Sequence, residues 1–425
     1  MRRALAVCLA CWGCYGVARG GDRVVLLHRA DAAAARLEDQ LLDVYRARHP
    51  GMRVAQLAVA APPEEYGRRV LAALAGAAPP EAFLLDDAGV PTLAERGEAL
   101  DLGPYLSRVG VDLARYDPAV LAIFRRGAAL HALPRGYSPL VVAYNRDLLE
   151  AAGVRAPADD WTWDEFLEMA RRLTRDRDGD GLVDVWGAAF DRRPSVWLPW
   201  IWSGGGDVLC ADGRRASGCL DAPPTIAAIR WYARWVTHEG VSPREYQARD
   251  WDGEAMRLFV SGRLASMTVG HEGVRALRPA VASGRLRVGF VAIPHRAGVP
   301  PVTVLYASGY AVPALTLGRK PAVELVAALT DSASDGARGE AGIELPADSA
   351  AARALVEADT LGWEASFLRA AQHGRPSWAA RVALWREVDA ALADMMDQIT
   401  VGGAAPDRAV RTTARDLDRL LGATR

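Results

Sequence analysis

Between Val24 and Asp87 the chain alternates short, largely apolar runs with helical periodicity, and this constrains its fold more than any other stretch. Val24-Val25-Leu26-Leu27 is continuous; Leu37, Leu41 and Val44/Tyr45 then recur at helical spacing and stop at His49-Pro50-Gly51. Val54 to Val59 is a second run, Tyr66 to Leu74 a second helix, and Ala82 to Leu85 a third run that ends in Asp86-Asp87. Runs that are apolar without alternation suit strands covered on both faces. Strand, helix and strand in succession predict parallel pairing through right-handed crossovers, an α/β layer. Ligands of such layers sit beyond the carboxyl ends of the strands. His28 and Asp86-Asp87 are therefore binding candidates; the competing role is to solvate a loop or cap the next helix.

With 425 residues, 51% of them hydrophobic, the chain can bury two cores or one large interrupted core. A net charge of -1 with 24% charged residues provides no field to draw nucleic acid or anionic lipid, so neither is an expected partner. The start reads as a signal peptide over residues 1–20: Met1-Arg2-Arg3 is its basic start, Ala4 to Ala10 its apolar run, and Gly16-Val17-Ala18 its small cleavage region. The expected location is periplasmic or extracellular, since no later run is long and apolar enough to span a bilayer. Leu9-Ala10-Cys11 and Trp12-Gly13-Cys14 are imperfect lipoprotein signals, so simple cleavage and a lipid anchor both stay open. Beyond the leader only Cys210 and Cys219 remain, on either side of the turn signal Asp212-Gly213. An oxidising compartment predicts a disulfide across a hairpin; two free buried thiols are the alternative.

From Leu133 to Asp191 the chain packs a strand-like crossing, a helix and an acidic turn into one piece. Thr162 suits a helix cap, Asp164 and Glu165 suit the positive end of the helix dipole, and Phe166, Met169/Ala170 and Leu173 continue an apolar face. Asp176, Asp178, Asp180 and Asp184 then repeat the oxygen spacing of a calcium loop. The position where that loop needs a bidentate Glu is Gly187, and no helix pattern follows. A plain turn built on Asp and Gly explains the run equally well. Aromatic residues crowd the next segment at Trp186, Trp197, Trp200 and Trp202; a closing helix carries Val382, Trp385, Val388, Leu392, Met395/Met396 and Ile399 on one face.

Several of these pieces, in this order, resemble the family 1 extracellular solute-binding proteins, the carbohydrate receptors of bacterial ABC importers. The resemblance rests on Tyr144-Asn145-Arg146-Asp147-Leu148-Leu149, Thr162-Trp163-Asp164-Glu165-Phe166, Asp178-Gly179-Asp180-Gly181, Gly205-Gly206-Asp207-Val208, Phe259 to Met267, Ser308-Gly309-Tyr310-Ala311-Val312 and Val401-Gly402-Gly403. It departs at Glu81, where the family usually has aspartate, and at Tyr306-Ala307, where it has paired glycines.

The resemblance implies an α/β, two-lobed periplasmic-binding-protein fold of type II, with crossing strands around a central ligand cleft. Residues 21–134 with about 303–346 would form one lobe, and residues 137–300 with about 350–425 the other. It implies a monomer that binds a carbohydrate or sugar-phosphate-like solute and delivers it to permease subunits, with no cofactor unless calcium binds the acidic turn. A sugar ring needs aromatic plates and hydrogen-bonding groups in a desolvated pocket. Trp197 and Trp200 fall where the resemblance puts stacking aromatics. Tyr137 and Ser138 lie on the first crossing and Tyr306 on the second; His271 follows the Met267 strand, and Arg375 suits an acidic ligand. Reporting to a membrane sensor is an alternative role. A secreted glycosidase using Asp86 and Glu272 as its two carboxylates is a further alternative.

Overall fold

The structure, a computed structural model, describes residues 23–243 and 251–422. The expected signal segment, including any lipid attachment, lies outside the described residues. Apart from a small hairpin of Arg125–Arg126 with Ala129–Leu130, the strands are β1 (Arg23–Arg29), β2 (Arg53–Val59), β3 (Ala82–Asp86), β4 (Leu133–Pro139), β5 (Val141–Asn145), β6 (Ser266–Val269), β7 (Val288–Val291), β8 (Thr303–Ala311), β9 (Leu345–Pro346) and β10 (Gly374–Pro376). The larger sheet has the order β9-β4-β8-β3-β1-β2, with β10 beside β8, and the smaller sheet the order β6-β5-β7.

The first three strands are parallel, as the alternating pattern predicts. β1 runs beside β2 from Arg23 opposite Arg53 to Arg29 opposite Val59, and beside β3 at Leu26 and Leu27. Helices Ala32–Arg48 and Pro63–Leu74 make the crossovers. Asp31 caps the first by accepting from Ala33 and Ala34 N–H. A buried tyrosine and a half-buried carboxylate fasten the layer. The Tyr66 hydroxyl lies 3.1 Å from Leu27 O and 3.0 Å from Leu84 O, and the Glu81 carboxylate accepts from Val25 N–H at 2.7 Å.

Only Leu140 separates β4, a strand of the larger sheet, from β5, the central strand of the smaller one. At that point the returning strand β8 is bonded to the crossing: Leu140 N–H donates to Val304 O, and the Thr303 hydroxyl donates to Leu140 O at 2.6 Å. β8 continues antiparallel to β4 and β3, with an irregularity between Ser308 and Gly309. A Cβ on Gly309 would stand 2.6 Å from Leu133 O, so only glycine fits so close to the neighbouring backbone. Each sheet with its covering helices makes a lobe, and two strands bonded at Leu140 form the joint.

The second lobe follows the expected helix signals. Thr162 and Glu165 form a capping box ahead of helix Trp163–Leu173. Phe166 of this helix packs against Trp200 and Trp235 at ring separations of 4.9 and 4.7 Å. Two expectations change. Cys210 and Cys219 form a disulfide, but no strands flank them; Asp418 of the last helix takes the N–H groups of Ala216 and Ser217 that a ladder would have used. Helix Ser349–Ala358 packs on helix Ser332–Glu340 and on β9 of the larger sheet, so the chain stays with the first lobe beyond residue 350.

Candidate functional site

The carboxyl ends of β1 and β3 carry Arg29, Asp86 and Asp87. Arg29 lies 3.8 Å from Asp86, whose carboxyl is pushed up by burial while the Arg29 charge opposes the shift. Asp87 is buried and accepts from the Ser377 hydroxyl and Ala88 N–H. Burial pushes its carboxyl up to about 7; the Ser377 bond works against this and the Asp86 charge adds to it.

Tyr306 of β8 stands between the lobes. Its hydroxyl donates to Ser195 O at 2.6 Å, at the start of helix Pro194–Ser203 in the second lobe. Burial holds the phenol well above its ordinary pKa; Asp87 and Asp389 push it further up, and Arg193 pulls it down. Arg193 is bound to Asp191 at 3.0 and 3.2 Å. Asp389 sits one turn after Trp385 on helix Trp385–Thr400, so the two share a face. Burial pushes the Asp389 carboxyl up to about 6, aided by repulsion from Glu64 at the start of helix Pro63–Leu74.

Of the residues expected at the site, Asp86, Ser138 and Tyr306 stand where the lobes meet. The Ser138 hydroxyl accepts from His271 N–H at 2.7 Å and donates to Glu272 at 3.3 Å. The others lie elsewhere. His28 is buried with Nε2 2.7 Å from Gln56 Oε1, and the pleat turns its neighbour Arg29 to Asp86 instead. Alternation likewise buries Tyr137 while Ser138 meets the second lobe. His271 is fully buried, 2.6 Å from Glu364 and edge-on to Phe367.

Trp197 and Trp200 are core residues with 0% and 1% exposure, not open plates. Trp197 donates to Arg192 O, and Trp200 to the Thr268 hydroxyl. Their helix is apolar on every side, and such a helix is buried all round. Arg375 is 2.8 Å from Asp207 and stacked 4.0 Å over the Trp202 ring. It lines a groove of about 430 Å³ with Ala122, Ile123 and Arg126, and its charge is already matched.

Asp176, Asp178 and Asp184 bring one carboxylate oxygen each within 4.8 Å of one another; Asp180 is outside this group. All four accept loop N–H groups: Asp176 from Gly179 and Gly181, Asp178 from Asp180, Asp180 from Leu182, and Asp184 from Arg177. Gly179 and Gly181 have φ of 80° and 87°, the left-handed region that favours glycine. The loop thus has its turn chemistry whether or not calcium binds. Glu272, the second carboxylate of the glycosidase alternative, is held by Ser138 and by Gly270 N–H at 3.2 Å.

Sequence reasoning did not single out Arg29, Glu64, Arg193 or Asp389, and it read Trp385 as packing. Helical spacing placed Trp385 on the core face, but it sits at that face's edge and is only half-buried. The available signal was the aromatic and carboxylate one turn apart at a helix start.

A family model described as bacterial extracellular solute-binding protein matches residues 31–336. Among solved structures, an ABC substrate-binding protein from Listeria monocytogenes in complex with cycloalternan superposes with TM-score 0.81 at 18% identity, covering 95% of this chain and 100% of that one. UgpB from Mycobacterium tuberculosis, in complex with glycerophosphocholine, gives 0.79 at 22%, covering 95% and 100%. The maltose/maltodextrin-binding domain MalE from Bdellovibrio bacteriovorus, bound to maltotriose, gives 0.73 at 19%, covering 94% and 99%. At these identities the likeness establishes the fold, an α/β two-lobed binding-protein architecture.

Proposed function

Because the chain belongs to the bacterial extracellular solute-binding proteins, we propose that it is the extracytoplasmic binding component of an ABC importer, which takes a carbohydrate between its lobes and delivers it to permease subunits. The observation that carries this reading is Tyr306. It stands on a joining strand, and its hydroxyl bonds to Ser195 O of the second lobe. Trp385 supplies an aromatic surface beside Asp389, as a sugar ring requires. A sugar phosphate has less support, since Arg375 is matched by Asp207. We read the chain as non-catalytic; Asp86 and Glu272 are each engaged by other groups. No helix among the described residues is long and apolar enough to cross a membrane.

Closure would turn on the Leu140–Val304 joint, and the solute would favour the closed state by contacting both lobes. The lobes also touch directly: Asp31 at the start of helix Ala32–Arg48 lies 2.7 Å from Arg275 on helix Glu272–Ala282. The test is a thermal-shift screen of the full chain over mono- and oligosaccharides, followed by titration of intrinsic tryptophan fluorescence. A hit should lose its effect in Asp389→Ala and Tyr306→Phe while the unliganded proteins stay folded. Undiminished affinity in both variants would refute the site.

A further inference from the structure

Leu315 and Leu317 are the most exposed large apolar residues among the described residues, at 90% and 93%. They stand on the turn between β8 and helix Arg319–Leu329, and hydrogen bonds fix that turn on both sides of them. Leu100 N–H donates to Val312 O at 2.8 Å, Ala314 N–H to Glu98 O at 2.9 Å, and Thr316 N–H to Pro313 O at 3.2 Å. The Arg319 guanidinium donates back to Ala314 O at 3.0 Å. The backbone is therefore held while neither leucine is packed. Burying a leucine is worth about 1.5–3 kcal/mol, and both side chains forgo it.

The turn has a defined place in the fold. Ala311, at the end of β8, is opposite Phe83 near the start of β3, so the chain leaves the larger sheet at the amino edge of its parallel strands. Arg23 and Arg53, the first residues of β1 and β2, are opposite each other on that edge, and both are exposed. Arg319 and Lys320 follow the leucines directly, the Lys320 side chain with 85% exposure. The carboxylates near the turn do not cancel this charge. Glu98 lies 4.0 Å from Arg96 and Glu324 3.8 Å from Lys320, and such solvated pairs hold each other weakly. Glu81 is turned into the layer by its bond to Val25 N–H.

Apolar side chains projecting from a basic edge match the surface of an anionic bilayer: leucine enters the headgroup boundary while guanidinium and ammonium groups meet lipid phosphates. A second copy of the chain fits less well, because a two-fold contact through this turn would set the basic edge against itself. We propose that the Leu315–Leu317 turn docks the protein on an anionic phospholipid bilayer, with the amino edge of the larger sheet toward the headgroups. The carboxyl ends of β1 and β3, where Asp86 stands, lie at the opposite edge, so the docked protein keeps that side open to the medium. The net charge of -1 conceals this surface, since attraction to lipid acts within about 10 Å and depends on the local arrangement of charge. Docking does not depend on which solute the protein takes.

The experiment is sedimentation of the full chain with unilamellar vesicles, either phosphatidylglycerol and phosphatidylcholine in equal parts or phosphatidylcholine alone, at low and high salt. The unsubstituted protein is compared with Leu315→Ser combined with Leu317→Ser, and with Lys320→Glu. All three side chains are exposed, so the melting temperatures should agree. Any binding through the residues before Arg23 is common to the three proteins, and differences among them report the turn. The leucine variant should bind mixed vesicles about 10-fold more weakly. Lys320→Glu should bind them about 5-fold more weakly at low salt, with the difference shrinking at high salt. Undiminished binding in the leucine variant, or no binding of the unsubstituted protein to mixed vesicles, would overturn the proposal. Equal binding to both vesicle types would overturn its anionic part. A dimer seen by analytical ultracentrifugation and lost in the leucine variant, with vesicle binding unchanged, would assign the turn to a second copy instead.

Discussion

Replacing Arg338 by Met should destabilise the first lobe more than most single substitutions. Arg338 is 1% exposed, on helix Ser332–Glu340. It donates to both oxygens of Glu38 at 3.1 and 2.7 Å, to Leu329 O at 2.7 Å, and lies 3.5 Å from Asp335. Burial by itself would push the Glu38 carboxyl up, but the Arg338 charge and its hydrogen bonds override this and hold it down at about 2, against an ordinary 4.5. That depression corresponds to about 3 kcal/mol. A depressed carboxyl contributes stability that is present above pH 4.5 and lost as pH falls through about 2. Arg338→Met leaves Glu38 buried without its partner, so the expected loss at neutral pH is about 3–5 kcal/mol. At about 2–4 °C per kcal/mol for a unit of this size, the melting temperature should fall by about 6–20 °C. Scanning calorimetry with urea unfolding followed by circular dichroism would measure it. Combining Arg338→Met with Glu38→Leu should recover most of the loss, because the double variant leaves no orphaned Glu38 charge. A loss below about 1 kcal/mol, or no recovery in the double variant, would refute the reasoning.

Other outcomes follow from the same contacts. Trp200→Ala opens a cavity among Phe166, Tyr232 and Trp235 and should cost about 3–5 kcal/mol in urea unfolding. Asp389→Asn should raise the melting temperature of the unliganded protein at pH 7: a carboxyl raised to about 6 favours the fold at low pH and loses that contribution as pH rises from about 4 to about 6. The stabilisation should therefore shrink below pH 4, which a pH series of melts would reveal. Cys210→Ser with Cys219→Ser frees a loop with a sequence separation of 9 and should cost about 2–3 kcal/mol, read by the same unfolding assay. Chelation should leave the melting temperature unchanged, since the carboxylates of Asp176, Asp178, Asp180 and Asp184 already hold the loop's N–H groups; a fall on chelation, reversed by calcium, would revive the cation site.

The sequence by itself determined the local elements of this protein. The strand-helix rhythm between Val24 and Leu85 predicted parallel strands, and Thr162 with Glu165 a helix start, because both signals act over a few residues. It also pointed to the carboxyl ends of the strands, where Asp86 and Asp87 stand, as the side on which to look for a ligand. Tertiary structure decided which face each side chain would take. Trp197 and Trp200 resembled plates for a sugar, yet the core closes over both. Trp385 looked like packing, yet it remains partly open beside Asp389. Residue type does not separate these cases, since an indole suits a core as well as a ligand surface. The charge balance between the lobes was equally hidden. Whether Arg375 is free or bound to Asp207, 168 residues away, depends on contacts that no local spacing encodes. Tertiary structure also set the Tyr306 hydroxyl against Ser195 O of the second lobe, because the long-range crossings joined at Leu140 and Val304 bring their elements together.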